Sequence, residues 1–176
     1  MGANPVLRMH IDRRIFQTMC TLTLLDTNDA GELLTLQRAS FALDVCVRYP
    51  GYTVPITQTL EELHEEVANA QCITVGLRDK GRLIGSIRIR KTGPETVFLA
   101  RLCIAPDRLG EGLGRQLMHS VDDYIARFFP ETKRVEMTAE GANTWLVNWY
   151  ESLGYEPVER GTKNSAYEWK LARNLG

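Results

Sequence analysis

The sequence has no C-x-x-C pair; its four cysteines, Cys20, Cys46, Cys72 and Cys103, are scattered. Their spacing suits neither a zinc site nor a small disulfide scaffold. They read as reduced thiols, and a cytoplasmic location is the matching expectation. His10, His64 and His119 stand equally apart, so no ligand set for a metal is expected. No apolar run approaches the ~20 residues of a membrane span. The first 20 residues lack the apolar core of a secretory signal, and Val6 stands where a myristoylation signal needs a hydroxyl. An excess of charge of one sign is missing too. The 21 Lys and Arg side chains face 22 Asp and Glu, for a net charge of -1. That balance gives no global pull toward nucleic acid or an anionic membrane, and neither is expected as a partner. Internal repeats and low-complexity linkers are also lacking.

What remains is a chain of 176 residues, long enough for one domain that buries a core without staples. Residues 1–20 read as an extension, and residues 21–172 as the single domain. The first strand is expected at 21–25. Asp26-Thr27-Asn28-Asp29 is a cluster of helix-capping residues. Glu32, three residues after Asp29, suits a capping box. The helix that follows is expected to reach about residue 48, with Ala30, Leu33, Leu34, Phe41 and Val45 inward, and Tyr49-Pro50-Gly51 stops it. Residues 51–57 read as a loop. Residues 59–70 read as a second helix with Leu60, Leu63 and Val67 on one face.

A meander comes next. Strands are expected at 72–77 and 83–90, joined by the turn Asp79-Lys80-Gly81. In the second of these, Leu83, Ile87 and Ile89 alternate with Ser86, Arg88 and Arg90, nearly the period of two of a half-buried strand. Residues 97–104 are more apolar throughout, as in a strand buried on both sides. A helix is expected from Leu113 to near Pro130, with Leu113, Leu117, Val121, Ile125 and Phe128 forming one apolar face. A strand at 134–139, a helix at 143–153 closed by Gly154, and strands at 157–160 and 166–171 paired as a hairpin complete the chain. This alternation argues for one sheet with helices on both faces.

The most informative stretch joins the strand at 97–104 to the helix after it. Past Pro106, glycines stand at alternate positions, Gly110, Gly112 and Gly114. A helix N-terminus has unpaired N–H groups and a dipole that favours negative charge, and glycine lets a phosphate come close. A nucleoside-triphosphate loop would need Lys and a hydroxyl after the last glycine, where Arg115 and Gln116 stand. A dinucleotide loop would need G-x-G-x-x-G and a later acid, which the spacing here denies.

Ile104-Ala105-Pro106, Gly112, Gly114 and the amphipathic helix resemble motif A of the Gcn5-related N-acetyltransferase (GNAT) family, in which Q/R-x-x-G-x-G/A holds the pyrophosphate of acetyl-coenzyme A. Leu109 replaces the usual Gln or Arg, and Arg108 and Arg115 flank it as alternative sources of charge. Asn143 to Tyr155 resembles the family's motif B, with Asn143, Tyr150, Gly154 and Tyr155 at the family spacings; Leu146 and Trp149 depart from it. The resemblance implies a mixed α/β fold, with a mostly antiparallel sheet splayed between its fourth and fifth strands and helices on both faces.

It also implies roles for residues. The backbone of Leu102, Cys103 and Ile104 would pair with the pantetheine arm. Leu109, Gly110, Glu111, Gly112, Leu113, Gly114 and Arg115 would hold the pyrophosphate, and Asn143 would contact the cofactor. Tyr150 would be the acid that protonates the coenzyme thiolate. No metal is implied. The acceptor would be a primary amine of a small molecule or peptide, attacked directly within a ternary complex, and family members often form homodimers through their last strands. A non-catalytic acyl-coenzyme A binding or sensing domain is the alternative. Glu140, Asp44 and Glu95 are conceivable bases. Cys103 in an apolar strand reads as inert packing. Glu61, Glu62, Glu65 and Glu66 would be either a solvated face or an acidic wall for a cationic acceptor. Tyr49, Tyr52 and Trp145 would shape that pocket or pack in the core.

Overall fold

A computed structural model describes residues 20–43, 54–140, 143–161 and 168–176. All but Cys20 of the expected extension at 1–20 lies outside the described residues, as do residues 44–53 with Asp44, Val45, Tyr49 and Tyr52. Among those described, no helix is long and apolar enough to cross a membrane.

Strand β1 (Thr21–Leu25) leads through a short 3-10 turn into α1 (Ala30–Leu43). Two further helices follow, α2 (Val54–Thr57) and α3 (Leu60–Ala68). Three strands form the meander: β2 (Cys72–Asp79), β3 (Arg82–Gly93) and β4 (Thr96–Ile104). The rest is α4 (Leu113–Phe128), β5 (Arg134–Glu140), α5 (Thr144–Glu151), β6 (Glu156–Arg160) and β7 (Glu168–Asn174). The seven strands form one sheet in the order β1-β2-β3-β4-β5-β7-β6. Every neighbouring pair is antiparallel except β4 and β5, which run parallel because α4 connects them as a crossover. The last two strands pair as expected, but β7 lies inside β6, against β5.

Helices cover both faces. A β-carbon on Gly85 would lie 3.0 Å from Leu117 of α4, so Gly85 points to the α4 face. Alternation then sends Ser86 and Arg88 to the opposite face, where Arg88 reaches Glu66 on α3. The α4 side is apolar: Leu113, Leu117, Met118, Val121 and Ile125 are buried against the sheet. The other side contains a polar layer. The Nε2 of Gln37, a residue with no exposed surface, donates to Oε1 of Gln58 at 2.9 Å and to the Pro55 carbonyl. Gln58 donates to Glu66 Oε2, and Arg88 Nη1 donates to Glu66 Oε1 at 2.5 Å. This chain of bonds joins α1, the end of α2, α3 and β3.

Several local expectations change. The capping box belongs to the 3-10 turn, where Asp26 and Asp29 bond each other's backbone. Glu32 instead accepts the Leu83 amide and a guanidinium N–H of Arg78. Burial opposes its ionisation, yet the Leu83 amide and Arg78 hold its carboxyl below the usual carboxylate range. Residues 54–57, expected as loop, close one helical turn. Thr59 and Glu62 form a capping box that starts α3, which leaves Leu60 exposed and only Leu63 deeply buried. Strand β3 is buried from Leu83 to Ile89, not on alternate sides, because α1 and α3 cover its polar residues too. Strand β4 does alternate: Val97, Leu99 and Cys103 are buried and most of their neighbours are half-buried.

Glu66→Ala removes the counter-charge of a guanidinium that is 4% exposed. An uncompensated buried charge is strongly destabilising. Urea denaturation is expected to show a loss of about 3 kcal/mol, and Glu66→Gln, which keeps an acceptor oxygen but not the charge, is expected to recover only part of it.

Candidate active site

The site is built where β4 leaves β5. Their parallel ladder joins Thr96–Leu99 to residues 134–137 and then stops. β5 stays paired to β7 up to Glu140. Among the described strands, β4 pairs only with β3 from Ala100 onward. In that pairing Ser86 faces Cys103 and Arg88 faces Ala100, so Arg101 and Leu102 together oppose Ile87. This is a β-bulge, which bends and twists its strand. Arg101 takes a φ of +53°, a left-handed conformation that costs a non-glycine residue about 1 kcal/mol. The opened edge thus begins at a strained residue.

The strand end is pinned. The Ala105 amide donates to the Ile84 carbonyl. Ladder alternation then turns the amide of Ile104 away from β3, toward the gap. Ser40 Oγ of α1 donates to the Ile104 carbonyl at 2.5 Å. A 3-10 turn (Pro106–Arg108) follows, and then the glycines. Gly110 and Gly112 have φ of +83° and +80°, and nothing lies within 4 Å of a β-carbon built on either. Glycine is needed there for backbone conformation, not for space within the protein. Gly112 is the N-cap of α4 and no side chain caps the helix. The amides of Leu113, Gly114 and Arg115 have no intrahelical acceptor, and together with the helix dipole they make an anion-attracting cradle.

Arg108 does not contribute to that cradle. Its Nη1 meets Asp79 Oδ2 at 2.7 Å, while Nε and Nη2 clasp both carboxylate oxygens of Glu111 at 2.8 Å. These bonds raise the guanidinium pKa and lower that of Glu111. Arg82 grips Asp107 in the same two-pronged way. The loop is therefore tied to the β2–β3 turn by protein ion pairs. Leu109 projects into solvent, 65% exposed. Arg115, on the outer side, donates to Ser152 Oγ at 3.2 Å.

Helix α5 forms the second wall. Asn143 Oδ1 accepts the Leu146 amide at 3.1 Å, so this residue is the helix N-cap. Tyr150 is 8% exposed, between the rings of Trp149 and Tyr155. Burial, reinforced by Tyr155, pushes its hydroxyl pKa up, so it stays protonated through neutral pH. Gly154, at a φ of +85°, ends the helix, and the Tyr155 amide returns to the Tyr150 carbonyl. Trp149 lies against Gly114: its ring is 3.7 Å from where a β-carbon would stand. Trp145 is 69% exposed, so packing in the core does not explain it.

Other candidates separate. Burial raises the Cys103 thiol to about 12, which removes it as a nucleophile at neutral pH. Glu95 sits in the β3–β4 turn, where it pairs with Lys133 beside the start of the β4–β5 ladder, at the opposite end of β4 from the gap. Glu140 ends β5 and its carbonyl receives the Asn143 amide, which places it at the mouth of the gap. Of the four α3 carboxylates, Glu66 is committed to Arg88 and Gln58, and Glu62 to its cap. Only Glu61 and Glu65 remain as exposed acids. Among the described residues no group of His, Cys, Asp and Glu could hold a metal ion. Sequence reasoning missed Arg88 and Gln37. The signal for Gln37 was its position among Leu33, Leu34 and Leu36 on one helix.

Arg108→Ala unties the loop without touching the core. Hydrogen exchange is expected to speed up roughly tenfold at the amides of residues 109–112 and to stay unchanged in α4.

Comparison with known proteins agrees with this geometry. Among solved structures the chain resembles PaiA N-acetyltransferase from Thermoplasma acidophilum in complex with coenzyme A, at a TM-score of 0.74 and 15% identity, over 89% of this chain and 99% of that one. It also resembles the ribosomal-protein-S18-alanine N-acetyltransferase of Escherichia coli (TM-score 0.70, 16% identity, 90% and 95% covered). Spermidine/spermine N-acetyltransferase SpeG from Vibrio cholerae is a third such structure (TM-score 0.64, 18% identity, 88% and 92% covered). Identities this low show the fold. No curated protein matches the chain in sequence. The model of the Acetyltransferase (GNAT) family matches residues 38–155, which is more than half of the chain and spans the bulge, the glycine loop and α5; the protein belongs to the GNAT acetyltransferase family.

Proposed function

We propose that the protein transfers an acetyl group from acetyl-coenzyme A to a primary amine of a small molecule or peptide. The observation that carries this reading is the junction of an open β4 edge with an uncapped, glycine-led helix N-terminus. The first suits the amides of a pantetheine arm, the second a diphosphate. Leu102, Cys103 and Ile104 would line the arm, with the outward Ile104 amide pairing with it and Cys103, whose amide the same alternation turns toward β3, lying between. The amides from Gly110 to Arg115 would receive the diphosphate, with Leu109 and Glu111 shaping the loop. Asn143 would act by fixing the start of α5 across the gap from β4.

In the reaction the amine nitrogen attacks the thioester carbon. The carbonyl oxygen becomes an oxyanion, and the Leu102 amide at the bulge would donate to it, the Cys103 amide being turned toward β3. One such fixed donor is worth about 3 kcal/mol in related chemistry. The C–S bond then breaks, the nitrogen's extra proton passes to water, and the thiolate is stabilised by the Tyr150 hydroxyl, which gives it a proton and regains one from water. Burial keeps the Tyr150 phenol protonated, so it is a hydrogen-bond donor to the thiolate as the C–S bond lengthens.

Tyr150→Phe is expected to lower kcat about 100-fold while leaving the affinity for coenzyme A nearly unchanged. Equal turnover in this variant would remove Tyr150 from the mechanism. Free-thiol release from acetyl-coenzyme A with a panel of amines tests the activity itself. Saturable coenzyme A binding without thiol release across that panel would make the protein an acyl-coenzyme A binding domain instead.

A further inference from the structure

Trp145 and Trp149 stand one turn apart on α5 with their rings nearly parallel, 6.4 Å between centroids and 10° between planes. The inner ring abuts Gly114 in the first turn of α4. The outer ring is 69% exposed. An indole so exposed gains little from the hydrophobic effect, and alanine would serve the helix better. Its place is therefore not set by folding. The two rings form a ladder that starts at the uncapped amides of α4 and ends in solvent, and Arg115, bonded to Ser152, links the same two helices beside it. An anion cradle with a flat aromatic face alongside is the chemistry that recognises a nucleotide: phosphate on the amides, base on the ring.

We propose that Trp145, backed by Trp149, is the stacking platform for the adenine of coenzyme A. The inference rests on the acetyl-coenzyme A reading above. With the diphosphate over Leu113 to Arg115 and the pantetheine arm along β4, the nucleoside arm leaves the loop on its outer side, and α5 is the element that borders the loop there. Indole and adenine offer each other wide π faces, and base–aromatic stacking needs no hydrogen-bond partner.

The test is isothermal titration of the full chain with coenzyme A, paired with kinetics using acetyl-pantetheine as a donor that lacks the nucleotide. Trp145→Ala is expected to weaken coenzyme A binding about tenfold, with Trp145→Phe close to the parent protein and thermal melting unchanged. The KM for acetyl-pantetheine should not move. If the parent binds coenzyme A and Trp145→Ala binds it equally well, the platform is refuted and the acetyltransferase reading stands. Equal weakening toward coenzyme A and acetyl-pantetheine would give the ring to the thiol arm and overturn the adenine assignment. No binding of coenzyme A to the parent protein would remove both.

Discussion

A two-residue bulge opposite Ile87 bends β4 while β3 still holds its inner edge. Past Leu99 the outer edge then pairs with no described strand, although β5 lies alongside up to that point. A row of unpaired strand amides is costly in a packed domain and useful only where something else supplies the acceptors. Every other part of the site takes its position from this parting. The end of β4 is pinned to β3 by Ala105 and to α1 by Ser40. The glycine loop starts a few residues beyond, and α5 begins at the end of β5, across the gap.

The electrostatics of the loop are unusual for an anion site. Asp79, Asp107 and Glu111 lie in or beside it, and Arg82 and Arg108 are engaged with them. Side-chain charge is nearly cancelled locally. What remains to attract an anion is the set of oriented amides and the dipole of a 16-residue helix. Leu109, apolar and exposed, adds no charge to the loop.

The two faces of the sheet do different work. Under α4 the packing is apolar, which makes that helix a firm base for the loop at its head. Under α1 and α3 runs the hydrogen-bonded layer of Gln37, Gln58, Glu66 and Arg88. Buried polar chains of this kind specify one arrangement of their helices, since any slip leaves a charge unpaired. The face on which an acceptor wall was expected thus spends one of its carboxylates inside the protein.

The sequence alone determined the features whose cause is local. Glycines at alternate positions after Pro106, the apolar spacing of α4 and the Gly154 stop all act within a few residues, and each stands where its pattern indicated. The resemblance to the family carried the mostly antiparallel sheet and its parting between the fourth and fifth strands as well. Only the tertiary structure decided how side chains far apart in sequence are used. Arg108 looked available for phosphate until Asp79, 29 residues away, came beside it. Arg88 had the spacing of a solvent-facing residue until α3 closed over β3. Trp145 matched a core residue by composition, and only the path of α5 left it in water. Spacing records which residues share a face, whereas burial and charge pairing depend on what folds against that face.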